Sequence, residues 1–462
     1  MRVLLADPPY RVSYKKYIIP NLGLAYLAAV LRDAGHEVEA FSASLHRDPY
    51  AAFAEHLARW RPDWLGLSAP TCKIVQAARL AGIAKENNPE VQTVIGGWHM
   101  SAAPEQTMAD YPVFDFGIDG EAEAAIVALV GGEDPHGIGG AYHRQDGAVV
   151  APREPITPPD LDALPRPAWD LFDLNLSRPM YRDEPGALDY PLMAKRGCPF
   201  NCLFCKKDNY RTVRFRNVED VVAEMIEAVE RWGADGIQFF DETFTLDRRH
   251  IVDLCEAIIA AGLPARLRWN AATRFDCVDR ELIHLMRRAN CRVLQFGAES
   301  GSEHVLRANR KNTTLAQARD AVAWCREAGI ESDVSFIFGM PYDDRRSVLD
   351  TARFSRELNP DFVAYFTFIP YPGTPAGDLA AVGEANLRVL HRDYENYEQQ
   401  YSLPAELQDY PAWRLTWLRL FSYARFYFRP GKWRRLRTML DLSTLPIIFI
   451  DLVGNLRGAR RT

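Results

Sequence analysis

The first third of the chain alternates short apolar runs with longer amphipathic stretches. The apolar runs have the length of buried strands, and the stretches between them repeat apolar residues near the helical period of about 3.6. We predict strands over residues 3–6, 37–41, 64–68, 91–95 and 114–118, with helices such as 22–34 and 73–86 between them. Strands and helices that alternate in this way build a parallel sheet covered on both faces. Residues 1–135 are therefore predicted to form a doubly wound, Rossmann-like α/β domain.

The segments that follow these strands are expected at one edge of the sheet, because parallel strands all end on the same side. They are residues 7–10, 42–44, 68–72, 96–99 and 119–123, and small residues and glycines dominate them. Such residues let the backbone approach a bulky ligand closely. For any single segment an ordinary tight turn is the better explanation, but all five segments together favour a ligand-binding edge.

A proline-rich stretch separates this domain from a second series of strands. Residues 136–185 include PREPITPPDLDALPRPAWDLFDL, whose prolines disfavour regular structure, and we interpret them as a linker. Strand-helix alternation resumes over residues 186–375, with strands predicted at 192–195, 236–240, 268–272, 292–297, 331–338 and 362–368. This pattern predicts a partial (β/α)6 barrel.

The last part of the chain, residues 376–462, loses the strand pattern and becomes helical, aromatic and locally basic. Its apolar run LPIIFIDLV is shorter than the about 20 residues needed to span a bilayer. We favour packing as a lid over the barrel, with a position on a membrane surface as the alternative. Tyr394, Tyr397, Tyr401 and Trp413 line either an apolar substrate pocket or, as we prefer, a helix-packing stripe.

Composition and charge narrow the class of protein. The 462 residues are 48% hydrophobic and 25% charged, as expected of a soluble globular protein. The net charge of −6 provides no basic surface for phosphate backbones, so we predict a small-molecule substrate and no nucleic-acid partner. Eight cysteines, of which three cluster, argue against a disulfide framework, and MRVLLADPPY lacks the features of an export signal. A cytoplasmic location follows.

The clustered cysteines lie in the segment KRGCPFNCLFCKK. Cys198, Cys202 and Cys205 have the spacing C-x-x-x-C-x-x-C directly after a predicted strand. Thiolates are soft ligands that suit an iron-sulfur cluster or zinc, and three of them leave one iron of a cubane open. A structural zinc site needs a fourth ligand, and His250 and Cys255 are remote in sequence. The spacing favours a cluster, and zinc with a long-range fourth ligand is the alternative.

This cysteine loop and several later segments resemble the radical S-adenosylmethionine (SAM) superfamily. The later segments follow successive predicted barrel strands and read FFDETF, WNAATRFD, FGAESGS, FIFGMPYDD and IPYPGTP. The resemblance implies a [4Fe-4S] cluster whose open iron chelates SAM, and a 5'-deoxyadenosyl radical that abstracts hydrogen from an unactivated carbon. It also implies that Phe204 packs near the SAM adenine and that Glu299 and Ser300 contact the ribose.

Polar residues at the C-terminal ends of barrel strands are the usual functional positions in such folds. On this ground we expect Asp241 and Glu242 to bind the SAM amino group and Arg274 to bind its carboxylate. For each of these side chains, capping of a strand end or a salt bridge is the alternative role.

The first domain, joined by a linker to such a barrel, resembles the cobalamin-binding subfamily of radical SAM enzymes. The segments DPPY, GLAYLAAVLRDAGHEV and IGGWHMSAAPE carry this resemblance. It implies a cobalamin site along the ligand-binding edge, at Pro8, Ser68, Thr71, Gly96, Gly97, Gly120 and Glu121. The D-x-H-x-x-G motif that supplies the lower cobalt ligand in many cobalamin proteins is absent. We do not assign His99 to that role.

The leading hypothesis is a cobalamin-dependent radical SAM methyltransferase acting on an unactivated carbon, or on phosphorus, of a small metabolite. A radical SAM oxidase, cyclase or rearrangement enzyme is the second hypothesis. A non-catalytic cobalamin or redox sensor is the third. For either enzyme, an external one-electron reductant such as flavodoxin or ferredoxin is the expected protein partner.

Overall fold

A computed structural model describes residues 1–10, 19–176, 181, 187–205, 211–397, 403–432 and 435. The chain divides into two units, Met1–Ser177 and Arg178–Thr462. The predictions for Tyr401 and for the run LPIIFIDLV concern positions outside the described residues.

The first unit is built on a seven-stranded sheet. Its strands are Arg2–Asp7 (β1), Glu37–Ser42 (β2), Trp64–Ser68 (β3), Gln92–Gly96 (β4), Phe116–Ile118 (β5), Ala141–Gln145 (β6) and Ala148–Val150 (β7). They lie in the order β2-β1-β3-β4-β5-β6-β7, and β1 to β5 are parallel. The strand order reverses at β1: the chain passes from β1 to β2 on one side, and then crosses back to β3 on the other side of β1. This reversal opens a crevice at the C-terminal ends of β1 and β3, the usual ligand position in such sheets.

Helices cover both faces of this sheet. They are Leu22–Asp33 (α1), Pro49–Trp60 (α2), Ile74–Asn87 (α3), Trp98–Ala102 (α4), Pro104–Asp110 (α5) and Glu123–Val130 (α6). Helix α1 packs with α6, and α2 packs with α3. Because right-handed crossovers on the two sides of β1 place their helices on opposite faces, the doubly wound fold follows.

A hairpin extends this sheet into the segment predicted as a linker. Strand β6 pairs antiparallel with β5, and β7 pairs antiparallel with β6. The turn between them places Asp146 and Gly147 at φ of 52° and 81°, the conformation that Asp-Gly favours in two-residue hairpins. The interpretation of residues 136–185 as a continuous linker is therefore wrong for residues 141–150. The dense prolines begin only after β7.

The second unit contains a sheet of six parallel strands. They are Asp189–Leu192 (β8), Gly236–Phe239 (β11), Arg268–Thr273 (β12), Cys291–Glu299 (β13), Glu331–Phe338 (β14) and Phe362–Thr367 (β15). They lie in sequential order from β8 to β15. Within the described residues each end strand pairs on one side only, so the sheet forms the open, partial barrel that the sequence predicts.

Helices follow the strands around this barrel in chain order. They are Val218–Glu230 (α7), Arg248–Ala260 (α8), Arg280–Arg288 (α9), Glu303–Ala308 (α10), Leu315–Ala328 (α11) and Arg345–Leu358 (α12). Helices α7 and α8, α8 and α9, α9 and α11, and α11 and α12 pack as neighbours. Two further helices, Pro375–Ala381 (α13) and Ala412–Tyr427 (α14), complete the described part of the unit.

Two details of the second unit differ from the sequence-based prediction. The first barrel strand ends at Leu192, and residues 195–196 instead form β9 (Lys195–Arg196), which pairs antiparallel with β10 (Arg214–Phe215). The region predicted as helical beyond residue 376 contains an antiparallel pair, β16 (Leu387–Val389) and β17 (Ala405–Leu407). Among the described helices, none combines the length and apolar character needed to cross a bilayer.

Candidate cofactor sites

The loop that carries the three cysteines follows β9 and is tied to the barrel by backbone hydrogen bonds. The Leu203 amide donates to the Asn309 carbonyl at 3.0 Å, and the Leu203 carbonyl accepts from the Ala376 amide at 3.0 Å. These bonds hold the loop against the end of α10 and the start of α13. None of the three cysteines of the loop forms a disulfide.

Asp241 anchors the chain just before this loop. Its carboxylate accepts the amides of Lys195 at 2.8 Å and Ala194 at 3.2 Å. Burial raises the pKa of Asp241 to about 7, and the nearby Lys195 ammonium opposes this shift. Each carboxylate oxygen therefore accepts a backbone amide. These bonds support the alternative role of Asp241 in capping the strand end, rather than the expected contact with the SAM amino group. Glu242 lies 3.6 Å from the Lys195 ammonium, and its role as a SAM ligand stays a prediction.

Arg274 is expected to bind the SAM carboxylate, but its guanidinium group forms hydrogen bonds within the protein. Its guanidinium makes two bonds to Asp276, at 2.9 and 2.8 Å, and donates to the Lys311 carbonyl at 2.6 Å. It stacks 3.6 Å from the Phe200 ring, and its Nη1 lies 3.7 Å from Cys202 Sγ. The salt-bridge alternative describes this geometry, and Arg274 additionally faces a thiol of the cysteine loop.

A β-bulge at the end of β13 directs Glu299 towards the same loop. The register with β14 shifts between Gly297 and Glu299, and Glu299 adopts a left-handed φ of 62°. Its carboxylate pairs with the Lys311 ammonium at 2.9 Å and lies where a Cβ on Gly297 would stand. Left-handed backbone at a non-glycine residue is costly and often marks a functional site. The predicted ribose contact of Glu299 remains a proposal.

The remaining predicted SAM residues have different surroundings. The Ser300 side chain is fully buried, receives the Ser302 amide at 3.1 Å and lies 3.2 Å from the Thr351 hydroxyl. These contacts shape the turn after β13. Phe204 is partly exposed between Leu203 and Cys205, and its packing against adenine stays a prediction.

In the first unit, an ion pair spans the crevice where the strand order reverses. Asp7 ends β1 and Lys73 follows β3, and the Lys73 ammonium lies 3.0 and 3.1 Å from the two Asp7 oxygens. The same ammonium sits 3.9 Å from the Tyr10 ring centroid. This pair places a charged, oriented group where such sheets bind ligands.

The neighbouring turns after β3 and β4 approach each other very closely. Gly97 has a φ of 91°, and a Cβ there would lie 2.8 Å from both the Ala69 nitrogen and the Ser68 hydroxyl. The His99 ring nitrogen Nδ1 lies 3.2 Å from the Thr71 hydroxyl, a contact that joins these two turns.

All predicted cobalamin residues lie at or directly after the C-terminal ends of β1, β3, β4 and β5. The Gly120 amide, in the turn after β5, donates to the Ser101 hydroxyl at 2.9 Å. Some of these residues are buried and others partly exposed; the buried ones are Pro8, Thr71 and Glu121. The topology therefore brings these positions to one edge, and their contact with cobalamin remains a proposal.

Two family models match the chain in the order of its two units. The B12 binding domain matches residues 12–130, and the radical SAM superfamily matches residues 194–355. The chain is 30% identical to an uncharacterized methyltransferase of Pyrococcus horikoshii over 441 residues, 93% of each protein. It is also 30% identical to the anaerobic magnesium-protoporphyrin IX monomethyl ester cyclase of Rubrivivax gelatinosus, covering 80% of this chain and 68% of that protein.

This chain is a radical SAM enzyme with a B12-binding domain. The solved structure of the radical SAM methyltransferase TsrM from Kitasatospora setae, with cobalamin and a [4Fe-4S] cluster bound, shares its fold. The TM-score is 0.69 at 18% identity, over 96% of this chain and 90% of TsrM. The two family models and the Pyrococcus relative confirm the predicted family and cofactor set, and the TsrM structure confirms the fold class.

The cysteine loop of this radical SAM enzyme has the donor chemistry that an iron-sulfur cluster requires. Residues 197–205 contain three thiols and no carboxylate or imidazole. Burial raises the pKa of Cys202 above its usual value, and the positive charges of Lys311 and Arg274 oppose this shift without cancelling it. Across the described ranges no three His, Cys, Asp or Glu side chains are placed to hold a metal ion. His250, the candidate fourth zinc ligand, instead has its ring centre 4.7 Å from that of Phe215, with the two planes tilted by 45°.

Two lysines of these sites, Lys311 in the second unit and Lys73 in the first, are not among the residues predicted from the sequence. Lys311 was not selected, because it lies beyond the FGAESGS segment and reaches Glu299 only through the turn after α10. Lys73 follows the edge segment 68–72 directly, and its pairing with Asp7 depends on β1 and β3 being neighbours. The sequence does contain a signal for this pair, because Asp7 directly follows one predicted strand and Lys73 lies shortly after another.

Proposed function

We propose that this enzyme is a cobalamin-dependent methyltransferase that acts on an unactivated carbon, or on phosphorus, of a small metabolite. The observation that carries the proposal is the similarity to the Pyrococcus methyltransferase, which extends over 93% of both chains. A match of that extent includes both the B12-binding and the radical SAM regions, so it supports a reaction that uses both cofactors.

Within the second unit, Cys198, Cys202 and Cys205 would hold the cluster. When bound, the cluster and SAM supply a 5'-deoxyadenosyl radical, and cobalamin supplies a methyl group. The protein's own contribution is positional: Asp241 fixes the chain entering the loop, and the Leu203 backbone bonds fix the loop on the barrel. Arg274 and Lys311 place positive charge beside the Cys202 thiolate.

The proposed setting follows from the same chemistry. Thiols that must stay reduced suit the cytoplasm. Flavodoxin or ferredoxin is the proposed one-electron donor, and the net charge of −6 favours no nucleic-acid partner.

A cyclase is the second candidate, and a specific observation supports it. The Rubrivivax cyclase matches this chain at 30% identity, as the Pyrococcus methyltransferase does, over a shorter length. A cyclase and a methyltransferase of this family differ in whether the SAM methyl group enters the product.

The test is an isotope experiment on the cofactor-loaded enzyme. Enzyme purified anaerobically with iron and cobalamin is incubated with a reductant, a metabolite extract and SAM bearing a trideuterated methyl group. We expect a labelled product, S-adenosylhomocysteine and 5'-deoxyadenosine, and we expect the labelled product and 5'-deoxyadenosine to be absent with Cys202→Ala. A product that loses hydrogen without gaining label, with no S-adenosylhomocysteine, would establish the cyclase and overturn the methyltransferase.

A further inference from the structure

Helix α14 carries large aromatic side chains on the face that points away from the barrel. Trp413, Trp417 and Phe421 are 43%, 49% and 55% exposed, and Phe428, directly after the helix, is 77% exposed. Their spacing of four residues places the three helical side chains along one face. The sequence-based preference for a packing stripe is therefore wrong for Trp413. We call these four residues the aromatic face.

The opposite side of α14 is fully used in packing, which fixes the orientation of the aromatic face. Leu415, Phe426 and Tyr427 are buried. The Tyr427 hydroxyl bonds to the backbone nitrogen and carbonyl of Val363 on β15, each at 3.0 Å. Rotation of the helix to bury the aromatic face would break these bonds and expose the residues beneath it.

Arginines border the aromatic face. The Arg414 guanidinium lies 5.1 Å from the Trp413 ring, and the Arg425 guanidinium lies 4.9 Å from the Phe421 ring. Residues 412–427, which form the helix, contain three arginines and no Asp or Glu, although the whole chain has a net charge of −6. Arg414 and Arg425 thus bring positive charge beside the exposed aromatics.

We propose that the aromatic face binds an anionic membrane surface, with the tryptophan and phenylalanine rings among the lipid headgroups. Tryptophan prefers the membrane-water interface, and an amphipathic helix with arginine beside its aromatics lies well in that plane. A second copy of this chain fits the face less well, because a symmetric contact would bring arginines together. A polynucleotide is disfavoured by the net charge of −6 of the whole chain. The proposal is independent of the reaction catalysed.

The test is co-sedimentation of the full-length protein with vesicles. We expect binding to vesicles of equal parts phosphatidylcholine and phosphatidylglycerol, and little binding to phosphatidylcholine alone. The triple variant Trp413→Ser, Trp417→Ser, Phe421→Ser should not bind. At about 1 kcal/mol for each arginine near an anionic surface, Arg414→Glu with Arg425→Glu should weaken binding at least about thirtyfold.

A matched control changes two arginines on another exposed helix surface. The Arg346 and Arg353 side chains on α12 are 91% and 65% exposed, so Arg346→Glu with Arg353→Glu makes the same change in net charge away from the aromatic face. This control should bind anionic vesicles as the wild type does.

Several outcomes would overturn the proposal. No binding of the wild type to anionic vesicles, or equal loss of binding in the α12 control, would do so. Binding that survives the triple variant would place the contact elsewhere. Self-association that the triple variant abolishes, or binding to polyuridylate but not to vesicles, would assign the aromatic face to a different partner.

Discussion

Arg274 reaches the cysteine loop while held by its own protein contacts. Its guanidinium group is held by hydrogen bonds to the Asp276 carboxylate and the Lys311 carbonyl, and Nη1 lies 3.7 Å from Cys202 Sγ. Hydrogen bonds and positive charge at a cluster sulfur stabilise the more negative, reduced cluster. We therefore expect Arg274 to be a positioning residue that makes the bound cluster easier to reduce.

Substitution of this arginine tests that role. Arg274→Gln should shift the midpoint potential of the reconstituted cluster to more negative values, and Arg274→Lys should retain part of the effect. SAM affinity should change little, as measured by equilibrium binding. Arg280→Gln, which removes an exposed arginine paired with Glu327, is the control. An unchanged potential with lost SAM binding would restore Arg274 to its predicted place as a ligand of the SAM carboxylate.

At the residue scale, sequence identified the cysteine loop because three thiols lie within eight residues. It did not distinguish ligands from supports among the strand-end residues. Asp241 and Arg274 both follow barrel strands, yet each is bound by partners distant in sequence, such as Ala194 and Lys311. Only the folded arrangement determines whether such a side chain faces an open site or a neighbouring backbone.

At the scale of elements, the close crossing of the turns after β3 and β4 shapes the B12-binding edge. Gly97→Ala places a Cβ 2.8 Å from the Ala69 nitrogen in a left-handed conformation, so we expect a loss of about 1–3 kcal/mol in unfolding free energy. Cobalamin affinity should also fall, because the edge must open. Denaturant unfolding and titration with hydroxocobalamin measure the two effects.

Gly82→Ala is the matched control for this substitution. Gly82 lies within α3, and no heavy atom stands within 4 Å of the Cβ that alanine adds. Alanine is favoured over glycine inside a helix, so this variant should gain roughly 0.5–1 kcal/mol and bind cobalamin normally. Equal cobalamin affinity in both variants would contradict the role assigned to the crossing.

The elements themselves were largely predictable, since buried parallel strands alternate with amphipathic helices throughout both units. The prediction fails where individual contacts determine where an element begins or ends. The β6-β7 hairpin lies directly before a proline-rich stretch and was assigned to the linker, although Asp146-Gly147 is a strong turn signal. Strand β8 ends at Leu192 because the following amides, of Ala194 and Lys195, bond to Asp241 rather than to the sheet.

At the scale of the whole molecule, a buried carboxyl links stability to pH. Asp333 accepts the Tyr181 hydroxyl at 2.6 Å, and burial raises its pKa to about 6 from the model-peptide value of 3.8. The folded state therefore favours the protonated acid. The resulting stability is fully present below the unfolded pKa and is lost as pH rises through the folded pKa.

Asp333→Asn should remove the energetic penalty of burying a charged carboxylate at high pH. The asparagine amide oxygen can still accept a hydrogen bond from Tyr181, and it carries no charge. We expect a free energy of unfolding higher than wild type by at most about 3 kcal/mol above about pH 7, and little difference below about pH 4. Urea unfolding across this range provides the measurement. The exposed Asp320→Asn serves as the control, and a gain independent of pH would refute the assignment.

If one chain combines a radical SAM barrel with a functional B12-binding domain, both cofactors should remain bound to the purified protein. The decisive experiment is anaerobic purification with iron and cobalamin supplied, followed by metal analysis and absorption spectroscopy. We expect one corrinoid and one [4Fe-4S] cluster for each chain, with Cys202→Ala losing the cluster and keeping the corrinoid. Repeated absence of corrinoid from folded, cluster-loaded protein would show that the first domain does not bind cobalamin.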